Sequence, residues 1–202
     1  EGDSAEDLHG AHLMIHREGN VGRISYTEFQ NVGQGSIIGR YPIHFHRVGD
    51  CHECFAIGNS VHDSFARVIT IHGTNYIKVQ KNVGYNVFGH MYFVEDGVEK
   101  HNVIEDNLGL LTKELFTLHA SDQHCATFWI THPTNTVRRN RAAGSDWYGF
   151  WYELVMELSA PSYTPEACPS GQPLEEFKDN TAHSNGRIGF RIFKYAPRRY
   201  PC

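Results

Sequence analysis

The stretch that decides the fold runs from residue 41 to residue 97 and reads YPIHFHRVGDCHECFAIGNSVHDSFARVITIHGTNYIKVQKNVGYNVFGHMYFVEDG. It contains three short apolar runs: IHFH at 43–46, VITIH at 68–72 and MYFVED at 91–96. Each run carries an ionisable residue near its end and is followed by a turn rich in Gly, Asn or Asp. The rest of the chain repeats this unit.

The repeat is clearest when the chain is aligned on asparagine. An apolar residue, two polar residues and Asn recur as VQKN, IEDN, VRRN and FKDN, and AIGN is a looser copy. The recurring asparagines are Asn59, Asn82, Asn107, Asn140 and Asn180. A period of about two dozen residues, lengthened by insertions, is typical of a solenoid. We expect the asparagine amides to stack inside it as a hydrogen-bonded ladder.

Each unit also supplies a strand whose alternate side chains share one apolar face. The predicted inner pairs are Ile43/Phe45, Ile69/Ile71, Tyr92/Val94, Phe128/Ile130, Phe150/Tyr152 and Phe190/Ile192. If equivalent strands of successive units stack about 4.8 Å apart, this face is buried and the backbone groups of adjacent units hydrogen-bond to each other. The sequence therefore predicts an all-β fold, a right-handed single-stranded parallel β-helix.

The whole chain of 202 residues reads as one such segment. The predicted rungs are 12–46, 54–73, 77–97, 102–132, 135–154 and 174–195, with inserted loops at about 112–126 and 155–173. Both ends lack a visible cap, which predicts an internal segment covered by neighbouring domains of the same chain. A net charge of −5 with interspersed acids and bases argues against a nucleic-acid partner, and no apolar run predicts direct membrane insertion.

The five cysteines leave several possibilities open. Cys51 and Cys54 form CHEC, which is compatible with a tight disulfide, half of a zinc site or a redox pair. No second CxxC motif follows. Cys125, Cys168 and Cys202 fall in loops or at the terminus, where disulfides are commoner than metal sites.

Several motifs in fixed order resemble one protein family. These are GRYPIHFH, VITIHGTN, GYNVFGHMYFVEDG, NLGLL, FWITHPTNTVRRNRAAG, GFWYEL and EFKDNTAHSNGRIGFRIF. From about Gly22 to Phe193 the chain resembles the parallel β-helix region of fibrocystin and fibrocystin-L. The first two blocks and the EDG block also resemble the cell-surface and cell-migration-inducing hyaluronidases.

The resemblance implies a large secreted or single-pass membrane protein at the cell surface or cilium. Within it, the chain is expected to be a structural or ligand-binding module with extracellular protein or glycan partners. The hyaluronidase resemblance implies an alternative, metal-assisted hydrolysis of an extracellular polysaccharide such as hyaluronan. Since a fold alone does not define an activity, the residues of the site must decide.

One candidate site is a column of ionisable residues on the outer strand face. In the register above, His46, His72 and Glu95 lie one above another, with His44 two residues away and Asp96 and His90 nearby. Imidazoles with a carboxylate suit zinc or another divalent transition metal better than calcium. The predicted metal ligands are His44, His46, His72 and Glu95, and the catalytic candidates are His46, His72, Glu95 and Asp96. The alternative is that these histidines only bond their turns and each other, with a carboxylate compensating the charge.

A second candidate is a binding surface on the same face. It consists of an exposed aromatic stripe, Phe93, Trp129 and Trp151, together with Arg40 and Arg67, which can hold a substrate carboxylate or pair with an acid.

A metal-free glycosidase would need two carboxylates about 5 to 10 Å apart across a cleft. The available acids are Asp50, Glu53, Asp63, Glu95 and Asp96, and their spacing singles out no pair. A structural or binding role is therefore preferred over an enzymatic one.

Overall fold

The computed structural model describes residues 3–155, 164, 167–193 and 197. Within them the chain forms short strands and two 3₁₀ helices, Ala120–His124 and Pro169–Gly171. In chain order the strands are β1 Leu13–His16, β2 Arg23–Ser25, β3 Glu28–Gln30, β4 Ile43–Asp50, β5 Phe55–Ile57, β6 Ser60–Ser64, β7 Ile69–Asn75, β8 Lys78–Gln80, β9 Val83–Phe88, β10 Tyr92–Val94, β11 Val103–Glu105, β12 Leu108–Lys113, β13 Ala126–Ile130, β14 Thr136–Arg138, β15 Arg141–Ala143, β16 Tyr148–Tyr152, β17 Glu176–Lys178, β18 Thr181–His183 and β19 Ile188–Ile192.

Strands three apart in the chain are parallel neighbours, so each turn of the coil adds one strand to each of three sheets. The first sheet has the order β1-β4-β7-β10-β13-β16-β19, the second β17-β14-β11-β8-β5-β2 and the third β18-β15-β12-β9-β6-β3. This topology confirms the predicted parallel β-helix. None of the described helices is long and apolar enough to cross a membrane.

The core lies inside the coil and is built from the predicted apolar face of the first sheet. Ile43, Phe45, Phe128 and Phe150 are at most 1% exposed. The rings of Phe128 and Phe150 stack at 4.7 Å because their strands pair in register. On the outermost described strand of this sheet, β19, Phe190 and Ile192 point to the same side but are each 43% exposed.

The five asparagines form the predicted ladder. Asn82 Oδ1 accepts hydrogen bonds from both the backbone N–H and the side-chain amide of Asn59, each at 3.0 Å. Asn82 Nδ2 in turn donates to Asn107 Oδ1 at 3.0 Å and to the Ala56 carbonyl at 2.9 Å. The same bonds continue through Asn140 to Asn180. Buried amides are thus paired along the whole stack, which removes the cost of burying them.

Each ladder asparagine follows a residue with left-handed backbone. The residues are Gly58, Lys81, Asp106, Arg139 and Asp179, with φ between 54° and 69°. Four of these are not glycine, although left-handed backbone disfavours side chains with a Cβ by about 1–2 kcal/mol. The turn chirality that places the amide inside the coil therefore outweighs this local strain.

A second, shorter ladder was not predicted. Asn102 Oδ1 accepts the Ile77 N–H at 3.0 Å, and Asn135 Oδ1 accepts the Asn102 N–H at 2.9 Å. Both asparagines are buried at the turn that precedes the second sheet.

The inserted loop before β13 folds back over the outer face of the first sheet. Leu115 of this loop is buried with Tyr41 and Ala66, and Leu118 packs against the same cluster. A separate group on the outer face, called the second apolar cluster below, consists of Phe93, Ala126, Trp129, Tyr148 and Trp151. Cys202 and most of the predicted inserted loop 155–173 lie outside the described residues.

Candidate functional site

The register of the first sheet collects histidines on its outer face. His16, His46 and His72 are aligned partners on β1, β4 and β7. The Glu95 N–H bonds the Ile71 carbonyl at 3.0 Å, which places Glu95 one step further along the same column. The alignment of His46, His72 and Glu95 is therefore as predicted. His16 was not included in the predicted column, although its HREG context after an apolar run was the available signal.

His44, His46 and His72 form a compact group. One ring nitrogen from each lies within 4.8 Å of those of the other two. The ring of His46 stands nearly perpendicular to both neighbours, with ring centroids 4.9 Å from His44 and 4.6 Å from His72. Below, these three residues are called the histidine cluster.

His44 is held in one orientation by the backbone. Its Nδ1 lies 2.8 Å from the Gly39 carbonyl oxygen, which can only accept, so Nδ1 carries the proton. The Nε2 lone pair then faces His46 Nδ1 at 3.3 Å. Burial lowers the pKa of His44 to about 3, so its imidazole is neutral at neutral pH.

His46 is the solvent-facing member of the histidine cluster. It is only partly buried, whereas His44 and His72 are buried. The exposed His16 ring lies beside it, with centroids 5.1 Å apart. Burial, and then the neighbouring His72, lower the pKa of His46 to about 4.

His72 lies between the other histidines and two carboxylates. Its Nδ1 is 3.4 Å from Glu95 Oε2, and its Nε2 is 2.8 Å from Asp96 Oδ2. Burial disfavours the imidazolium, but the two carboxylates outweigh burial and raise the pKa of His72. Burial also raises the pKa of Glu95 to about 7, against the opposing charges of His72 and Arg67.

Two buried atoms of this group make no hydrogen bond within the described part of the chain. They are His72 Nε2 and Glu95 Oε2. Each atom instead takes part in an ion pair, His72 Nε2 with Asp96 Oδ2 at 2.8 Å and Glu95 Oε2 with His72 Nδ1 at 3.4 Å.

Glu99 orders the turn that carries Asp96, and sequence reasoning missed it. Its buried carboxylate accepts the N–H groups of Gly73 and Gly97, both at 2.8 Å. It also accepts the Asp96 N–H at 3.2 Å. The available signal was an acid three residues after the VED run, at a turn whose backbone donors need a partner.

The predicted exposure of the aromatic stripe is wrong. Phe93, Trp129 and Trp151 are 4–7% exposed, because they form the second apolar cluster with Ala126 and Tyr148. The guanidinium of Arg191 covers the Trp151 ring at 4.3 Å.

Arg67 is also not a surface residue. It is fully buried, with its guanidinium 3.8 Å above the Phe93 ring. It forms a two-point ion pair with Asp122, in which Nη2 and Oδ2 are 3.0 Å apart. Its charge is thus neutralised inside the protein. Of the predicted binding surface, Arg40 is exposed and donates to Gln34 Oε1 at 2.9 Å.

His90 serves the packing of the inserted loop. It is fully buried, and its Nδ1 accepts the Ala126 N–H at 2.9 Å. Its Nε2 lies 3.2 Å from Ser121 Oγ and 3.6 Å from Asp122 Oδ1. His119 of the same loop is half-buried, and burial lowers its pKa.

The remaining candidate carboxylates are engaged elsewhere. Asp50 accepts from Asn75 Nδ2 at 2.8 Å, and Asp63 contacts His62 at 2.8 Å. Glu53 pairs with Arg23 on the surface. Glu95 and Asp96 alone among the five candidate acids contact the histidine cluster.

Cys51 and Cys54 form a disulfide. The disulfide argues against half of a zinc site, because both sulfurs are bonded to each other. Cys125 is a buried free thiol whose pKa is raised by burial to about 12, so the thiol is protonated at neutral pH.

The fold and the site together define a class: a parallel β-helix with a half-buried cluster of histidines and carboxylates on the outer face of one sheet. The chain belongs to the CEMIP beta-helix family, whose model matches residues 8–190. The predicted relationship to fibrocystin-L and to the hyaluronidases is thereby confirmed.

Individual relatives fall into two groups. Fibrocystin-L of Mus musculus is 37% identical over 198 residues, which cover 95% of this chain and 5% of that protein. Fibrocystin-L of Homo sapiens is 39% identical over 175 residues, which cover 86% of this chain and 4% of that protein. Cell surface hyaluronidase CEMIP2 of Homo sapiens is 35% identical over 238 residues, covering 97% of this chain and 17% of that protein. The chain therefore spans a small part of each relative.

Proposed function

We propose that this β-helix is a rigid structural module of a fibrocystin-like cell-surface protein, and that it contributes a surface to extracellular protein or glycan partners. The observation that carries the structural part of this proposal is the burial of the outer aromatic column and of Arg67, which pairs with Asp122 of the inserted loop. These side chains are committed to packing and are not available to stack on a sugar ring or to hold a substrate carboxylate.

The internal ladder supports the same role. Continuous amide bonds from Asn59 to Asn180 tie five successive turns together along the axis of the coil. In a solenoid each repeat contacts only its neighbours, so axial bonds between neighbours set its stiffness. A ciliary location stays a prediction of the resemblance to the fibrocystins.

Polysaccharide hydrolysis is the second candidate function. It is favoured by the partial exposure of His46, which lies beside His72 and its carboxylate partners Glu95 and Asp96. Two of the relatives are named for action on, or binding to, hyaluronan. For this chain such an activity is an alternative proposal.

The experiment is a chain-length assay on hyaluronan and chondroitin sulfate with purified protein, in chelator, in calcium and in zinc. The structural proposal expects the size distribution of both polymers to remain unchanged under all three conditions. Polymer shortening that is abolished in the His46→Ala, His72→Ala double variant and retained in His62→Ala would contradict the structural proposal and support the hydrolase function. His62 is a suitable control because it also contacts carboxylates but belongs to the third sheet.

A further inference from the structure

We propose that His44, His46 and His72 bind one divalent transition-metal ion of the zinc class. The Glu95 carboxylate, which lies 3.4 Å from His72 Nδ1 but outside the group of three nitrogens, turns toward the ion as the fourth ligand. Metal binding at this site is a function beyond the structural role proposed above and does not require catalysis.

The spacing of the nitrogens fits a tetrahedral ion. Ligand nitrogens about 2.0–2.1 Å from zinc stand about 3.3 Å from each other along a tetrahedron edge. His44 Nε2 and His46 Nδ1 are 3.3 Å apart, and the His72 nitrogen lies within 4.8 Å of both. A small rotation of the His72 ring toward the pair completes a three-nitrogen face.

The orientation of His44 is already that of a ligand. Metal-binding histidines usually donate their second ring N–H to a carbonyl or carboxylate, which fixes the tautomer and directs the lone pair. The Gly39 carbonyl fulfils this role for His44. The hydrogen bond is made by the backbone and does not depend on a mobile side chain.

The contact between His72 and Glu95 points to the same conclusion. Glu95 Oε2 is buried, makes no hydrogen bond to the described residues and lies 3.4 Å from His72 Nδ1. The side chains of His72 and Glu95 are 9% and 11% exposed. Unsatisfied buried polar atoms cost about 1–3 kcal/mol each, so native proteins usually give them a partner. A cation bound between His72 Nδ1 and Glu95 Oε2 gives both atoms a partner, while Asp96 Oδ2 remains 2.8 Å from His72 Nε2.

The donor set selects the class of metal. Three imidazole nitrogens and one carboxylate oxygen suit zinc and its neighbours among the transition metals, whereas calcium takes six to eight oxygen ligands. Asp96, held by the turn that Glu99 orders, adds negative charge beside the site. Its carboxylate is placed to fix the His72 ring rather than to replace a nitrogen ligand.

The test uses the intact, untagged protein, stripped with chelator and titrated with zinc chloride or calcium chloride by isothermal calorimetry. We expect one zinc ion per chain and no comparable calcium binding. His46→Ala and His72→Ala should each weaken zinc binding by about 100-fold or more, and Asp96→Asn by about 10- to 100-fold. His62→Ala should bind as the wild type does.

His46 is the informative ligand variant because its partial exposure makes misfolding of the variant less of a concern. A second measurement is the thermal unfolding midpoint with and without zinc, which should rise in the wild type and in His62→Ala but not in His46→Ala. The proposal is overturned if the wild type binds zinc no better than the triple alanine variant of the histidine cluster. It is equally overturned if calcium binds in preference to zinc, or if His62→Ala loses binding as His46→Ala does.

Discussion

Arg67 and Asp122 are 55 residues apart in the sequence and form an ion pair that is fully buried on both sides. Asp122 Oδ1 also accepts the His90 N–H at 3.2 Å, and its Oδ2 accepts the His119 N–H at 3.2 Å. Despite the opposing effect of burial, the Arg67 charge holds the pKa of Asp122 down at about 2. Gly89 permits this close approach, since a Cβ there would lie 3.0 Å from both Arg67 Nη1 and Asp122 Oδ1. The pair fastens the inserted loop beside Phe93, whose ring centroid lies 6.0 Å from that of His119.

Removing one partner of this pair should be strongly destabilising. Asp122→Asn leaves the Arg67 charge buried and uncompensated, which should cost about 3–5 kcal/mol of unfolding free energy. Urea unfolding followed by tryptophan fluorescence measures the loss, because the Trp129 ring lies 4.3 Å from His90, which contacts Asp122.

The exposed pair Arg23–Glu53 provides a matched control. Glu53→Gln should change stability by less than about 1 kcal/mol, because a surface pair is well solvated. A loss of similar size in both variants would mean that the buried pair does not fasten the loop.

The asparagine ladder should be weakest at its edge. Asn82→Ala removes the acceptor of the Asn59 N–H and the donor to the Ala56 carbonyl, leaving buried backbone groups without partners. Each such group costs about 1–3 kcal/mol, so a loss of several kcal/mol is expected.

Asn180 is the comparison, because it is only partly buried at the outermost described rung. Asn180→Ala should cost less than half as much as Asn82→Ala in the same denaturant titration. Equal losses at the two positions would contradict a ladder whose contribution depends on burial.

Acid should destabilise the fold in part through His90. Burial, opposed by Asp122 and reinforced by Arg67 and His119, lowers the pKa of His90 to about 3. In the unfolded chain the pKa of a histidine is about 6.5. Between these values the unfolded state binds a proton that the folded state excludes. Stability is therefore greatest above pH 6.5 and falls by up to about 1.4 kcal/mol per pH unit as the pH decreases toward 3.

His90→Asn should remove this slope while an amide oxygen still accepts the Ala126 N–H. Unfolding free energies measured from pH 7 to pH 4 should converge for variant and wild type at the acidic end. Parallel curves for His90→Asn and wild type would show that His90 does not contribute.

The pH dependence of stability expected from His62 has the opposite sign, because hydrogen bonds to Asp63 and Glu28 raise its pKa. The contribution of His62 to stability is present below pH 6.5 and lost at higher pH.

The sequence by itself determined the coil and its axial order. Alternating apolar residues and recurrent asparagines are local periodic signals, and a parallel β-helix repeats local geometry from turn to turn. For this reason the alignment of His46 with His72 and Glu95, and the chain of amides from Asn59 to Asn180, follow from spacing alone.

Only the tertiary structure decided what covers the outer face. The 3₁₀ helix Ala120–His124 lies in a non-periodic insertion, and nothing in its spacing shows that Asp122 meets Arg67. The alternation of side chains along the strand predicts that Trp129 points outward. It does not show whether solvent or a loop covers that face, because strand periodicity gives the face of a side chain and not its exposure. Phe93 and Arg67 become packing residues through His119 and Asp122 of that loop, and Trp129 through His90. Within the histidine cluster only His46 is partly open to solvent. The sequence could not show this, because the exposure of a side chain depends on contacts between segments that are distant in sequence.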